Sequence, residues 1–321
     1  MAGGSDRRAR DFVAAVIGML LVAAMACGAA DPALTPLPAE DAAHAMPMVG
    51  DGAGTAIGAV AVLLGTAGLF LLLRLWRLPR REPWPVAGGA SLVLLLICIV
   101  LLMQPLGAAV GLGAAGADVE AVRTPRVQAL AMLGAILAQV PVVFLVLRFR
   151  RRAVPIATGG PWRHAAGAMA IGVATALLIL PAVAVTAAAG SAIQQAMTGA
   201  PVEAIAHDTL RSIATEPGPW SRMLALLAVV GAPITEEVLY RGLGHELLRR
   251  LGASPWTIIV VVSALFALAH WSVVAGPALG GLFVLGLALG WSAERTGTLL
   301  APMIGHAAFN AINVWLATAG A

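Results

Sequence analysis

The chain is a succession of apolar runs, each close to 20 residues long, separated by short stretches that gather most of its charge. They lie at about 12–30, 54–73, 86–104, 127–147, 164–188, 222–246, 256–274, 276–292 and 298–318. A helix needs roughly 20 apolar residues to cross the hydrocarbon of a bilayer. Inside lipid the backbone must satisfy its own hydrogen bonds, which for a single apolar run means a helix. The pattern therefore predicts an all-α, polytopic transmembrane bundle of eight or nine spans.

Composition removes the alternatives. The chain is 60% hydrophobic and 11% charged, whereas soluble domains carry about 25% charged residues. It lacks the polar surface to coat a water-facing globule. All the basic residues are Arg, grouped at the ends of apolar runs, which is the pattern of membrane topology rather than of a nucleic-acid-binding face. Cys27 and Cys98 sit inside apolar runs, without zinc-ligand spacing. Usage rich in Ala, Gly, Val, Pro and Arg points to a bacterial protein, and so to a multi-pass protein of the inner membrane.

The Arg distribution sets the orientation. With the N-terminus in the cytoplasm, the inner loops collect Arg7, Arg8, Arg10, Arg74, Arg77, Arg80, Arg81, Arg148, Arg150, Arg151, Arg152, Arg163, Arg249, Arg250 and Arg295. The outer loops hold only Arg123, Arg126, Arg211 and Arg222. Residues 1–50 read as a signal anchor or signal peptide followed by a Pro/Ala-rich linker. Residues 51–190 form N-terminal transmembrane helices whose role has no sequence signature. Residues 191–321 begin with an amphipathic stretch on the outer side. In it Val202, Ile205, Ala206, Leu210 and Ile213 oppose Glu203, His207, Asp208 and Arg211.

Ionisable groups inside spans are costly and mark functional sites by default. They concentrate in the last third of the chain. Glu236, Glu237 and Arg241 share one run, His270 follows Phe266 by four residues, and His306 precedes Asn310 by four. Glu237 and Arg241 are one turn apart and can pair, neutralising two buried charges. Glu236 is rotated about 100° from Glu237 by the helical period. Left without an intrahelical partner, it suits a general base. His306 and Asn310 face one space. A Glu–His set in a dry pocket activates water with or without a metal. A chain of Glu and His also suits a proton-coupled transporter.

The three motifs, Glu-Glu-x-x-x-Arg at 236–241, Phe-x-x-x-His at 266–270 and His-x-x-x-Asn at 306–310, fall in that order on successive runs. Over about residues 220–318 the chain resembles the CPBP family of intramembrane proteases, which includes the type II CAAX prenyl endopeptidases and the bacterial Abi proteins. The resemblance implies an endopeptidase that cleaves a membrane-associated protein or peptide. It implies that Glu236 activates water with His270, that His306 and Asn310 hold the oxyanion or a metal, and that Glu237 and Arg241 brace the site. An inactive scaffold of the same fold is the other reading. Members are often called metalloproteases, and Glu236, His270 and His306 could supply a zinc site. Asn310 is a poor zinc ligand and Glu236 is more useful as a base, which favours a metal-free route. His-Glu-x-x-His is absent, and Gly290-Trp-Ser-Ala293 departs from the rhomboid Gly-x-Ser-Gly. Counting residues along the runs of Glu236 and His306 puts the site about 10 Å from the inner face, opening to the cytoplasm. His270, near the far end of its run, does not fit that depth, so its helix is expected to begin deep, tilt or break near His270.

Overall fold

The computed structural model describes residues 75, 77–84, 89–116, 124–153, 160–199, 207–274 and 276–319. The signal anchor or signal peptide, the linker, the run at 54–73 and residues Val202, Glu203, Ile205 and Ala206 of the amphipathic stretch lie outside the described residues.

The described chain is helical throughout. Its helices are α1 (Gly89–Ala115), α2 (Pro125–Ala153), α3 (Gly160–Thr198), α4 (Asp208–Thr215), α5 (Pro219–Arg250), α6 (Pro255–Leu268), α7 (Ala278–Thr296) and α8 (Leu300–Ala319). Four are long and apolar enough to cross a membrane: α1, α2 over Pro125–Phe149, α3 over His164–Thr198, and α5. The run expected to span at 256–274 is shorter than the sequence implied. Ser254 caps α6 by accepting the Thr257 amide, Pro255 sets its first turn, and the helix stops after 14 residues at Leu268. The chain then turns through 269–274 before Pro277 leads into α7.

Small residues bring the helices together, as lipid-embedded packing requires. Gly107 and Gly111 of α1 form a small-xxx-small face; a Cβ on either would collide with the α2 backbone at Gly134 or Leu130. Gly172 of α3 meets Ala301 and Gly305 of α8 in the same way.

Two widened turns interrupt α5, at Leu227–Gly231 and Val238–Gly244. The first has a cause in the sequence. The Ala232 amide bonds back five residues to the Leu227 carbonyl. Pro233, next in that register, has no N–H for the carbonyl of Ala228. Gly231-Ala-Pro233 is thus absorbed as a π turn inside a continuous helix.

The two ends of the bundle differ. At one, Arg249 reaches Glu294 at 2.5 Å and Arg250 holds Glu246 at 2.6 Å. The segment before α1 is tied to this end. The Trp84 amide donates to Glu246, Arg250 donates to the Trp84 carbonyl, and Arg81 donates to the Glu294 carbonyl. Arg295 donates to the Arg77 carbonyl at the same end. The opposite end carries Arg126, stacked over Trp220 at 5.8 Å, with Arg211 and Arg222 in and beside α4. The arginine-rich and arginine-poor loops inferred from sequence therefore collect at opposite ends wherever they are described. α4 is the amphipathic helix expected there. It buries Ser212 and Ile213, the latter with Ala129 of α2 and Leu224 of α5.

Candidate active site

The site forms where α5, α6 and α8 meet. Glu236 and Glu237 follow the first π turn of α5, and Arg241 lies in the second. Arg241 donates from Nη1 to Glu237 Oε1 at 2.8 Å and from Nη2 to the Gly286 carbonyl of α7 at 3.1 Å. Both side chains of the pair are fully buried. Glu237 has a second partner that the spacing did not foretell. His306 Nδ1 lies 2.9 Å from the same Oε1. The arginine-paired carboxylate accepts, so Nδ1 carries a proton, and in the neutral imidazole Nε2 presents a lone pair.

His270 reaches the same state by another route. Its Nδ1 lies 2.7 Å from the Phe266 carbonyl, which can only accept. Nδ1–H therefore donates, and in the neutral form Nε2 is again the free lone pair. Each Nε2 stands 3.9 Å from Oε2 of Glu236. That oxygen is enclosed and has no hydrogen-bond partner among the described residues. Three electron-rich atoms thus converge with no donor among them, at a spacing too wide for direct hydrogen bonds. A water donating its protons fits such a gap.

The same three donors have the chemistry of a zinc site, including the Nδ1–H contacts that orient ligating imidazoles. Their spacing differs. Ligands at about 2.0–2.1 Å from a tetrahedral zinc stand roughly 3.4 Å apart. Among the described residues no group of three such side chains is placed to hold a metal ion.

Phe266 organises the pocket. Its buried ring lies 4.8 Å from the His270 ring, 5.7 Å from His306 and 5.2 Å from Tyr240, with the Arg241 guanidinium 4.7 Å from its centroid. Asn310 faces a different partner. Its Nδ2 donates at 2.8 Å to the carbonyl of Ala228, the group that Pro233 leaves without an amide. The structure thus brings Glu236, His270 and His306 together, with Glu237 and Arg241 directly behind them. It ties Asn310 to the π turn that leads into Glu236.

One residue near the site had been read only as the polar face of an amphipathic helix. His207 caps α4, its Nδ1 accepting the Thr209 amide at 3.1 Å. Its backbone bridges to Val274, and the Asp208 amide bonds to the Val273 carbonyl. The segment is thereby fixed to the turn that carries His270. Burial, together with the charge of nearby His270, pushes the His207 imidazole down to about 4.

The site's opening also differs from the depth count. Exposure falls from 27% for the Glu236 side chain and 18% for His270 to 5% for His306 and zero for Glu237. Beyond Glu237, towards the arginine-rich end, Arg241, His245, Glu246 and Glu294 are all buried. The cytoplasm-facing opening expected from residue counting is closed by these packed side chains. Residue counting treats the helices as parallel rods of full length, whereas α6 stops at Leu268, just before His270.

Residues 218–312 match the family model described as Rce1-like, type II CAAX prenyl endopeptidase Rce1-like. No curated protein and no solved structure matches the chain.

Proposed function

We propose that this chain, whose Rce1-like segment supports membership of the CPBP family of intramembrane proteases, hydrolyses a peptide bond of a membrane-associated protein or peptide with water activated by Glu236. The observation that carries the reading is the convergence of Glu236 Oε2 with the Nε2 atoms of His270 and His306, each 3.9 Å away. A water in that gap donates to the carboxylate and to an imidazole. As it attacks the scissile carbonyl, Glu236 takes its proton and a tetrahedral oxyanion forms. His270, held by the Phe266 carbonyl, keeps the water aligned. His306, taking a second proton at Nε2 from solvent before the attack and keeping it through the turnover, donates to the oxyanion. On collapse the C–N bond breaks and the proton held by Glu236 passes to the leaving amine. Glu237 and Arg241 fix His306 from behind. Asn310 completes the pocket wall, either through its second amide hydrogen or by holding the π turn in place. None of these steps uses a metal.

The architecture we assign is that of a bacterial inner-membrane protein of eight or nine spans. Residues 51–190 form the supporting helices and 191–321 the catalytic part. The bilayer is the medium and nucleic acid has no role. The decisive experiment is substrate trapping with Glu236→Gln in cells. Proteins that accumulate uncleaved with the variant, and are cut when the native chain is restored, establish the protease. Uptake driven by a proton gradient in vesicles, with no cleaved protein, would instead establish a transporter.

A further inference from the structure

We infer that His207 is a positioning residue for the proposed hydrolysis: by capping α4 it holds the 207–208 segment against the 269–274 turn, and so keeps His270 in register with Glu236. The inference rests on the proteolytic reading for what His270 does; the hold on the turn stands on separate observations.

The first is how lightly the turn is defined by its own residues. α6 ends at Leu268, so His270 lies beyond the last regular helical turn. The amides of Val273 and Val274 both bond to the His270 carbonyl, at 3.0 and 3.1 Å, and the ring hangs from the Phe266 carbonyl through Nδ1. Trp271 and Val273 are 64% and 40% exposed. A segment with so little buried surface opens easily unless another element pins it.

The second is the element that pins it. The Asp208 amide donates to the Val273 carbonyl at 3.4 Å, and His207 and Val274 form an antiparallel bridge. Val274 is buried where they meet.

The third is what holds residues 207–208 in turn. α4 has eight residues, too few to be stable alone, and its first amides need acceptors from outside the helix. His207 supplies one. Its Nδ1 accepts the Thr209 amide while its backbone stays extended, at φ −119° and ψ 123°. That conformation serves the cap and the bridge to Val274 together. α4 is anchored on the bundle, with Ile213 against Ala129 of α2 and Leu224 of α5, and Gln128 of α2 donating to Ser212 at 2.9 Å. Contacts therefore run from α5 through α4 and His207 to Val274 and the His270 turn. They close on α5 again at Glu236, 3.9 Å from His270 Nε2.

The bond from Thr209 needs a lone pair on Nδ1, so the cap forms with a neutral ring that carries its proton on Nε2. Burial, with the charge of nearby His270, holds the imidazole down at about 4, and the ring stays neutral near pH 7. Asn is the conservative substitute, since it caps well and is also neutral.

Hydrogen exchange on the purified full chain in detergent tests the hold, comparing native protein with His207→Ala and His207→Asn. We expect exchange over 269–274 to be roughly 2- to 30-fold faster in His207→Ala, the range of a lost N-cap, and native in His207→Asn, with exchange over 255–265 alike in all three. Unchanged exchange in His207→Ala, or faster exchange that Asn does not restore, overturns the hold. If His207→Ala does not accumulate, normal accumulation and native exchange of His207→Asn support the hold, and failure of both variants overturns it. Turnover is read on a protein trapped by Glu236→Gln. Because His270 aligns water rather than anchoring substrate, kcat should fall in His207→Ala with KM unchanged, and recover in His207→Asn. Undiminished kcat, or a rise in KM alone, overturns the positioning role. If Glu236→Gln traps nothing, the proteolytic reading fails and the positioning role with it, while exchange still decides whether His207 holds the turn.

Discussion

His306 and Arg241 share one oxygen of Glu237, at 2.9 and 2.8 Å. A carboxylate that sequence spacing assigned to a structural ion pair therefore also sets the tautomer of a site imidazole. Replacing Glu237 by Gln should keep the shape of the pair while weakening both contacts. Activity should fall by about 10- to 100-fold, the loss typical when an outer partner of a functional imidazole is removed. Abundance should fall less than on loss of the arginine, because the Gln oxygen still accepts from the Arg241 guanidinium although its charge is no longer balanced. Arg241→Ala leaves a buried carboxylate uncompensated, which costs about 3–5 kcal/mol, and abundance should drop with activity. Comparing membrane abundance and substrate turnover for the two variants checks the distinction. Normal abundance of Arg241→Ala would remove the bracing role.

Glu236 makes no hydrogen bond through its enclosed oxygen. Its replacement by Gln should cost turnover by about 10²–10⁴-fold, the range of a lost general base, while leaving thermal stability in detergent unchanged. A variant that unfolds at lower temperature would show that the carboxylate is structural.

The bond from Asn310 to the Ala228 carbonyl predicts a coupled pair. Asn310→Ala leaves that carbonyl without a donor, at about 1–3 kcal/mol. Pro233→Ala restores an N–H next in the register. The cost of Asn310→Ala should then be smaller in the Pro233→Ala background, with a coupling in the range of about 0.5–3 kcal/mol expected for groups sharing one partner. Denaturation of the four proteins in one detergent measures the cycle. Additive costs would show that Asn310 does not serve the π turn.

The spacing of Glu236, His270 and His306 predicts that purified protein carries no stoichiometric zinc. Elemental analysis of native and His270→Ala protein is the check. One zinc per chain, lost together with activity in the variant, would require the three donors to close around an ion.

Sequence periodicity located most of the described helices because lipid leaves an apolar run no alternative to helix. It also picked out Glu236, His270 and His306, since ionisable groups among apolar residues stand out. It carried the α6 run on to 274, and only the depth of His270 pointed to a helix that begins deep, tilts or breaks near that residue. Hydropathy continues through Leu268-Ala-His-Trp with no drop to mark the turn, and only the pairing of Val273 and Val274 with the 207–208 segment fixes the bend. The family resemblance implied that Asn310 holds the oxyanion or a metal with His306, and one-turn spacing shows that the two share a face but not which neighbour each meets. The bond to Ala228 depends on the register shift before Pro233, a property of backbone hydrogen bonding that no side-chain pattern displays. The buried set of His245, Glu246 and Glu294 also escaped notice. Its members lie near the ends of apolar runs, where charge is ordinary.

That buried set has a consequence for the cell as well as for the pocket. A hydrolase in a bilayer must admit water to one bond without becoming a conduit for ions. Arg241, His245, Glu246 and Glu294 are packed beneath the candidate site, filling with paired side chains the space that a continuous file of water would need. Substitutions that loosen this floor would harm the cell by leakage, even with the cutting machinery intact.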